Sequence, residues 1–341
     1  MNRLRCVSCM ILVLVCTSVL LSAAGGPETS AADAGSLRVY AVITQDDAEM
    51  LTDMFREQTG VDVSFIRATT GELVNRVIAE QNNPQADILL GGASLLHTSI
   101  ARAGALESYR SPNAEGLPAF GVDPDGYWTG FYVTSLGIGV NEDRFRRLFG
   151  DTPIPESWDD LLDPRFDGEI VMTDPLASST AYLFLQTQLQ RLGWEAGWDY
   201  LETLAPLVGQ FPTSGGAPPQ LIGSGEFAIG VAFVHALSRY RRQGFPLTVR
   251  TPAQTGGEVG AISIVRGGPN PENARRFVDF ILSVEAQQAF VDQSLVTPLS
   301  DRVVLPEAAV GIQEIDLIDY DSELAGQQRS ETLERWQQIV D

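Results

Sequence analysis

The chain of 341 residues carries 44 acidic against 23 basic side chains, a formal net charge of −21, and every basic residue is Arg. This balance excludes nucleic acid as a partner, because phosphate backbones are held by cationic surfaces. The lack of Lys excludes a Walker phosphate loop and Schiff-base chemistry. Its three cysteines, Cys6, Cys9 and Cys16, all lie near the start, so the remainder offers no thiol as nucleophile, metal ligand or disulfide partner.

In chain order, Arg3 and Arg5 precede an apolar stretch from Met10 to Leu21 and then the small residues Ser22, Ala23 and Ala24. That is the three-part layout of a secretory signal. The stretch falls short of the roughly 20 apolar residues that cross a bilayer. Residues 1–24 are therefore expected to be a cleaved signal peptide, and the protein periplasmic or otherwise extracytoplasmic. Lipidation of Cys16 is the alternative, although Val15 before it is bulkier than such sites favour. Residues 25–36, rich in Gly, Ala and Ser, read as a flexible leader. The roughly 300 residues that follow exceed what one hydrophobic core supports, so two domains are expected.

From residue 37 the pattern is strand, then helix, repeated. Residues 37–43 are a short β-rich run; Thr44 is placed to cap a helix whose apolar face is Ala48, Leu51, Met54 and Phe55, and Gly60 stops it. Residues 61–66 alternate as a second strand, and Thr69, Thr70 and Gly71 lead into a helix with Leu73, Val74, Val77 and Ile78 on one side. Residues 87–90 form a third strand, followed by Gly91, Gly92, Ala93 and Ser94 and a helix to about Arg102. Three such units imply parallel strands flanked by helices. Ligands of such sheets sit beyond the carboxyl ends of the strands, at helix amino termini.

Residues 127–140 are long, apolar and β-rich and read as the strand that leaves the first lobe. In the second lobe, residues 169–173 form a strand that leads through Asp174 and Pro175 to Ser178, Ser179 and Thr180 and a helix ending near Gly193. Residues 210–213 and 227–233 are further strands, the former running into Ser214, Gly215 and Gly216. Residues 248–264 contain two extended pieces around Gly256 and Gly257 that return the chain to the first lobe. Asn270 and Pro271 then open a helix as cap and first residue, with Ala274, Phe277, Val278 and Ile281 buried. Ser283 caps the next helix, and the acidic tail ends in an amphipathic helix over residues 333–340.

The order of these segments resembles the ferric-type and phosphosugar- or phosphonate-type branch of ABC-transporter solute-binding proteins. The stretches that carry the resemblance are FREQTGVDV at 55–63, ATTGELVNRVIAE at 68–80, NPQADILLGG at 83–92, LGIGVN at 136–141, SGEFAIG at 224–230 and GGPNPENARRFVDFILSVEAQ at 267–287. It implies an α/β protein of the type II periplasmic binding fold, two doubly wound lobes joined by hinge strands with a ligand cleft between them. Residues 37–136 with 256–300 would form one lobe and 137–255 the other, with 301–341 a helical segment docked on a lobe. It also implies closure on a small solute and delivery to an ABC permease in the inner membrane, by a monomer without a cofactor. A binding protein that feeds a sensor kinase or chemoreceptor would have the same fold.

Iron-binding members place an adjacent Tyr pair after the strand matching 227–233 and often a His after the first strand. Here those positions hold Val234, His235 and Ala236, and Thr44, Gln45 and Asp46. Ferric iron wants hard anionic oxygen ligands, so no metal set is read and ferric iron or an iron chelate is the second choice. The expected binding residues are Thr44, Arg67, Thr69, Thr70, Gly92, Ser94, Ser178, Ser179, Thr180, Thr213, Ser214 and His235. Hydroxyls and amides at helix starts suit a small anion such as a phosphorylated sugar or a phosphonate. Two readings stand side by side for each Ser and Thr: ligand donor, or cap of its own helix. His97 reads as structural and Trp128 as core, while Asp174 and Glu258 could take ligand hydroxyls. A secreted hydrolase, the rival from another class, lacks G-x-S-x-G, H-E-x-x-H and cysteine, so no catalytic residue is assigned.

Overall fold

A computed structural model describes residues 35–68 and 70–340, with only the backbone of Thr70. The expected signal peptide, most of the leader and Thr69 lie outside the described residues. The leader ends earlier than expected, because Ser36 already pairs in the first strand.

The amino-terminal lobe begins β1 (Ser36–Ala41), α1 (Gln45–Thr59), β2 (Asp62–Arg67), α2 (Thr70–Ala79), β3 (Ile88–Ala93), α3 (Ser94–Arg102) and β4 (Leu106–Glu107). β1 pairs in parallel with β2 on one side and β3 on the other, as three β-α units require. The start and stop of α1 are those expected. Thr44 Oγ1 accepts from the Asp47 amide, and Gly60 closes the helix at φ +73, where an L side chain would be strained. β3 runs three residues further than its apolar run suggested and takes in Gly91 and Gly92.

β5 (Thr129–Asn141) then leaves the lobe, followed by α4 (Glu142–Phe149), β6 (Ile170–Met172), α5 (Ser179–Leu192), α6 (Trp194–Leu204), β7 (Val208–Gln210), α7 (Ala217–Gly223), β8 (Ile229–Phe233), α8 (Val234–Arg242) and β9 (Leu247–Arg250). Helices α6, α7 and α8 were not anticipated, and β7 ends at Gln210, so Thr213 and Ser214 lie in the loop beyond it. The chain returns through β10 (Gly257–Val265), α9 (Pro271–Ile281), α10 (Val284–Ser294) and β11 (Thr297–Pro298), and ends in α11 (Ser322–Gln327) and α12 (Arg329–Val340).

The strand order β2-β1-β3-β10-β5-β8-β6-β7 shows how the lobes join. The first half of β5 pairs antiparallel with β10 and β11, and its second half with β8 and β9. A single strand thus belongs to both halves of the sheet. β6 pairs in parallel with β7 and β8, repeating the first lobe's arrangement. Glycines let the hinge strands approach closely: a Cβ on Gly137 would lie 2.7 Å from the Arg250 carbonyl oxygen, and one on Gly130 2.4 Å from Val259 Cγ1.

The core of the second lobe gathers Leu136, Ile138, Val140, Trp158, Ile170, Phe184, Trp198 and Ile229, and α12 adds Trp336, only 1% exposed. The docking of the tail is therefore hydrophobic: Trp336 meets Phe211 edge to face at 5.5 Å, and Gln186 donates to Thr332 Oγ1 at 3.0 Å. Pro271 opens α9 as expected, but the Asn270 side chain does not cap it. Instead Asn270 donates from its amide and side chain to the buried Asp87 carboxylate, at 2.6 and 3.0 Å. A buried carboxylate needs those donors more than the exposed helix end does.

Candidate functional site

The carboxyl ends of β1 and β3 and the start of β10 form one side of the site. Thr44 reads as a cap: its hydroxyl donates to Asp47 Oδ2 at 2.5 Å and accepts from the Asp47 amide at 3.3 Å. Asp47 is buried, and its other oxygen accepts from Ser294 Oγ at 2.6 Å and Gln293 Nε2 at 2.9 Å. Arg67 holds the Ile43 carbonyl at 2.9 Å and is otherwise exposed. Thr70 opens α2; its side chain, like all of Thr69, is outside the described residues.

Gly91 and Gly92 take φ of +81 and +84, and a Cβ on Gly91 would lie 2.5 Å from Ile43 Cγ2. This tight turn is fixed by His97, fully buried, whose Nε2–H donates to the Gly91 carbonyl at 3.0 Å. Its Nδ1 then accepts from the Ser263 hydroxyl on β10. Burial pushes the imidazole down to about 4, so it stays neutral and structural. Ser94 is the first residue inside α3, whose cap position is Ala93, and its hydroxyl makes no hydrogen bond among the described residues. Trp128 is core, its indole donating to Thr98 Oγ1 at 2.9 Å.

On the facing side, Ser178 occupies the cap position of α5, but its hydroxyl accepts no helix amide. It is turned toward the loop after β7: a Cβ on Gly215 would sit 3.3 Å from Ser178 Oγ and 3.4 Å from Thr180 Oγ1. Two unengaged hydroxyls and a bare backbone thus surround one small space at the amino end of a 14-residue helix. Helix starts leave amides without intrahelical partners and carry a partial positive charge. Ser179, Thr213 and Ser214 are exposed around this space. Asp174 is used within its loop, accepting from the Leu176 amide at 2.9 Å.

The hinge contributes the third part. Thr134 faces Glu258 and Tyr132 faces Gly260 in the β5–β10 ladder, which puts all four on one sheet face. A Cβ on Gly260 would fall 2.0 Å from the Tyr132 ring, so the ring covers that glycine. Burial pushes the Tyr132 phenol up; the Gly92 amide opposes this, and Glu258 and Asp47 add to it. Glu258 is itself pushed up to about 7 by burial. His235, in the first turn of α8, stacks on Phe233 at 5.6 Å, and its Nδ1 is buried without a partner. Burial, then Arg239, push it down to about 4, with Asp47 across the cleft opposing.

The structure therefore gathers Ser178, Thr180, Ser214 and Gly215 in one place, and Gly92 and His235 near Tyr132, Asp47 and Glu258 in another. Thr44 and Arg67 are engaged elsewhere. Sequence reasoning missed Tyr132 and Asp47. Polar residues alternating through the first half of β5 were the clue to Tyr132. The arrangement offers hydrogen-bond donors on one wall and neutral or weakly acidic groups on the other. It defines a binding protein of the type II periplasmic class.

Comparison with known proteins agrees with that class. Residues 83–314 match the family of bacterial extracellular solute-binding proteins. An uncharacterized protein of Haemophilus influenzae is 36% identical over 95% of this chain and 96% of its own length. A putative 2-aminoethylphosphonate-binding periplasmic protein of Salmonella typhimurium is 26% identical over 74% of this chain and 73% of its own. Among solved structures, the periplasmic binding protein AfuA of Actinobacillus pleuropneumoniae, with exogenous fructose 6-phosphate bound, superposes with a TM-score of 0.77. It is 34% identical, covering 90% of this chain and 98% of AfuA. The chain belongs to the bacterial extracellular solute-binding protein family and works outside the cytoplasm.

Proposed function

We propose that the protein captures a small phosphorylated or phosphonate solute between its lobes and hands it to an ABC permease of the inner membrane. The observation that carries this reading is the pair of unengaged hydroxyls, Ser178 and Thr180, packed around Gly215 at the start of α5. Such a pocket suits a tetrahedral oxyanion, which accepts from hydroxyls and helix amides together. Ser179, Thr213 and Ser214 are at its rim, with Gly92 and Ser94 on the opposite wall. His235 and Glu258 take the rest of the ligand. The protein is a non-catalytic monomer whose lobes, residues 37–136 with 256–300 and residues 137–255, close about β5 and β10. Residues 1–24 direct export and are removed.

Micromolar affinity corresponds to about 8 kcal/mol, and hydrogen bonds to a charged group contribute about 1.5–3 kcal/mol each. Four to six donors around the anion account for it. The net charge of −21 opposes an anion only at long range, since salt at 0.1 M screens beyond about 10 Å. A thermal-shift screen of the exported chain against fructose 6-phosphate, 2-aminoethylphosphonate, inorganic phosphate and ferric citrate tests the reading. Stabilisation by a phosphorus compound is expected. Stabilisation by iron(III) with none from any phosphorus compound would replace this reading with iron uptake.

A further inference from the structure

A part of the chain that the family match does not reach crosses the hinge. That match stops at residue 314, and the chain continues through residues 315–321 before α11. Residues 316–318 run beside the hinge. The Thr255 amide donates to the Asp316 carbonyl and the Ile318 amide to the Thr255 carbonyl, both at 2.9 Å. Thr255 is completely buried, and its hydroxyl reaches the Leu136 carbonyl of β5 at 2.9 Å. A Cβ on Gly257 would lie 2.7 Å from Leu317 Cδ2, so the strap is seated on bare hinge backbone. It is anchored at both ends: Thr297 donates to the Val310 carbonyl at 2.8 Å before the crossing, and Trp336 is buried in the second lobe after it.

This path delivers Tyr320 next to Glu258. The Tyr320 ring packs against the core of the second lobe, and its phenol lies in the field of the Glu258 carboxylate. Neither polar end makes a side-chain hydrogen bond among the described residues, and neither is sealed from solvent. Two unused polar groups thus lie close together where the strap crosses the hinge strands.

We propose that Tyr320 is a specificity-determining ligand contact which, with Glu258, holds the hydroxyl-bearing part of the phosphorylated solute. A phenol both donates and accepts, and a carboxylate accepts, so together they match an alcohol, which does both. Above about pH 7, where Glu258 has lost its proton, a second phosphate placed there would meet the carboxylate and be rejected, as specificity by repulsion requires. This assignment rests on the proposed function, and the experiment separates the two.

Titration calorimetry with fructose 6-phosphate, together with melting temperatures, is applied to the wild type, Tyr320→Phe and Tyr182→Phe. Tyr182 is the internal control, because its hydroxyl is spent on the Ala325 carbonyl at 2.5 Å. Tyr320→Phe is expected to weaken binding about tenfold, one lost hydrogen bond to a polar ligand, with no change in melting temperature. Tyr182→Phe is expected to do the reverse, lowering the melting temperature and sparing affinity. Tyr320→Phe that binds within twofold of wild type overturns the assignment, as does a loss of affinity matched by Tyr182→Phe. Wild type that binds no fructose 6-phosphate overturns the assignment of a hydroxyl-bearing solute, whereas the proposed function falls only if no phosphorus compound binds.

Discussion

Filling the space between Ser178 and Thr180 is the most direct challenge to the anion site. Gly215 does not need a positive φ, so Gly215→Ala is compatible with the backbone, yet its new methyl would stand 3.3 and 3.4 Å from the two hydroxyls. It would occupy the position a ligand oxygen needs. Two hydroxyl bonds to an anion contribute about 1.5 kcal/mol each at the lower end, so their loss predicts about a hundredfold weaker binding. The neighbouring Gly216→Ala is the control, because the nearest atom to its methyl is Ser214 Oγ at 3.9 Å, an ordinary contact. Calorimetry with the phosphorylated solute that stabilises the wild type, and a melting curve for each variant, complete the test. Equal affinities for both variants and the wild type, at unchanged melting temperature, would refute an oxyanion pocket at α5.

Other outcomes follow from the same geometry. Glu258, pushed up to about 7 by burial, keeps its proton in the folded chain where the unfolded chain has lost it, so it costs stability as pH rises from about 4.5 to about 7. Glu258→Gln should therefore raise the melting temperature at pH 8 and leave it unchanged at pH 4; the opposite order would place the carboxyl in a favourable site. His97→Leu leaves the Gly91 carbonyl and the Ser263 hydroxyl buried without their partner, a loss of about 2–4 kcal/mol in urea unfolding, and His97→Gln should recover part of it. Trp336→Ala should cost about 3–5 kcal/mol, because its ring is fully enclosed in the second lobe; a loss below 1 kcal/mol would mean that the tail is only loosely docked.

The fold was legible where local rules and burial agree. Thr44, Gly60, Pro271 and Ser283 mark helix ends in the sequence and do so in the structure. Asn270 shows where such rules give way, since a buried carboxylate 183 positions earlier claims its side chain. Helices α6 to α8 were passed over for different reasons: α7 opens with two prolines, and α8 carries charge through its second half. The site was legible by class rather than by member. Hydroxyls at helix starts can be singled out from the sequence, but whether a hydroxyl caps its own helix, as Thr44 does, or faces away from it, as Ser178 does, depends on one side-chain rotation. Tyr320 is visible only once the hinge is assembled, because its partner Glu258 lies far away along the chain.

The position of β10 has a consequence for how the polypeptide acquires its shape. β3 is flanked on one side by β1, but its other neighbour is β10, whose Ile262 and Ile264 pair with Leu90 and Ile88. The chain is synthesised from its amino end, so β1, β2 and β3 are complete first, with an open edge. Helices α9 and α10, which cover α1, come later still. The lobe that begins the sequence therefore cannot close its sheet until β10 has emerged, while the second lobe supplies nearly all of its own strands from one continuous stretch and waits only for α12 to fill its core. Contacts of this sequence separation form slowly. A bare strand edge in the meantime invites pairing with other chains, so the newly made protein is most exposed to misassembly until its final third has emerged.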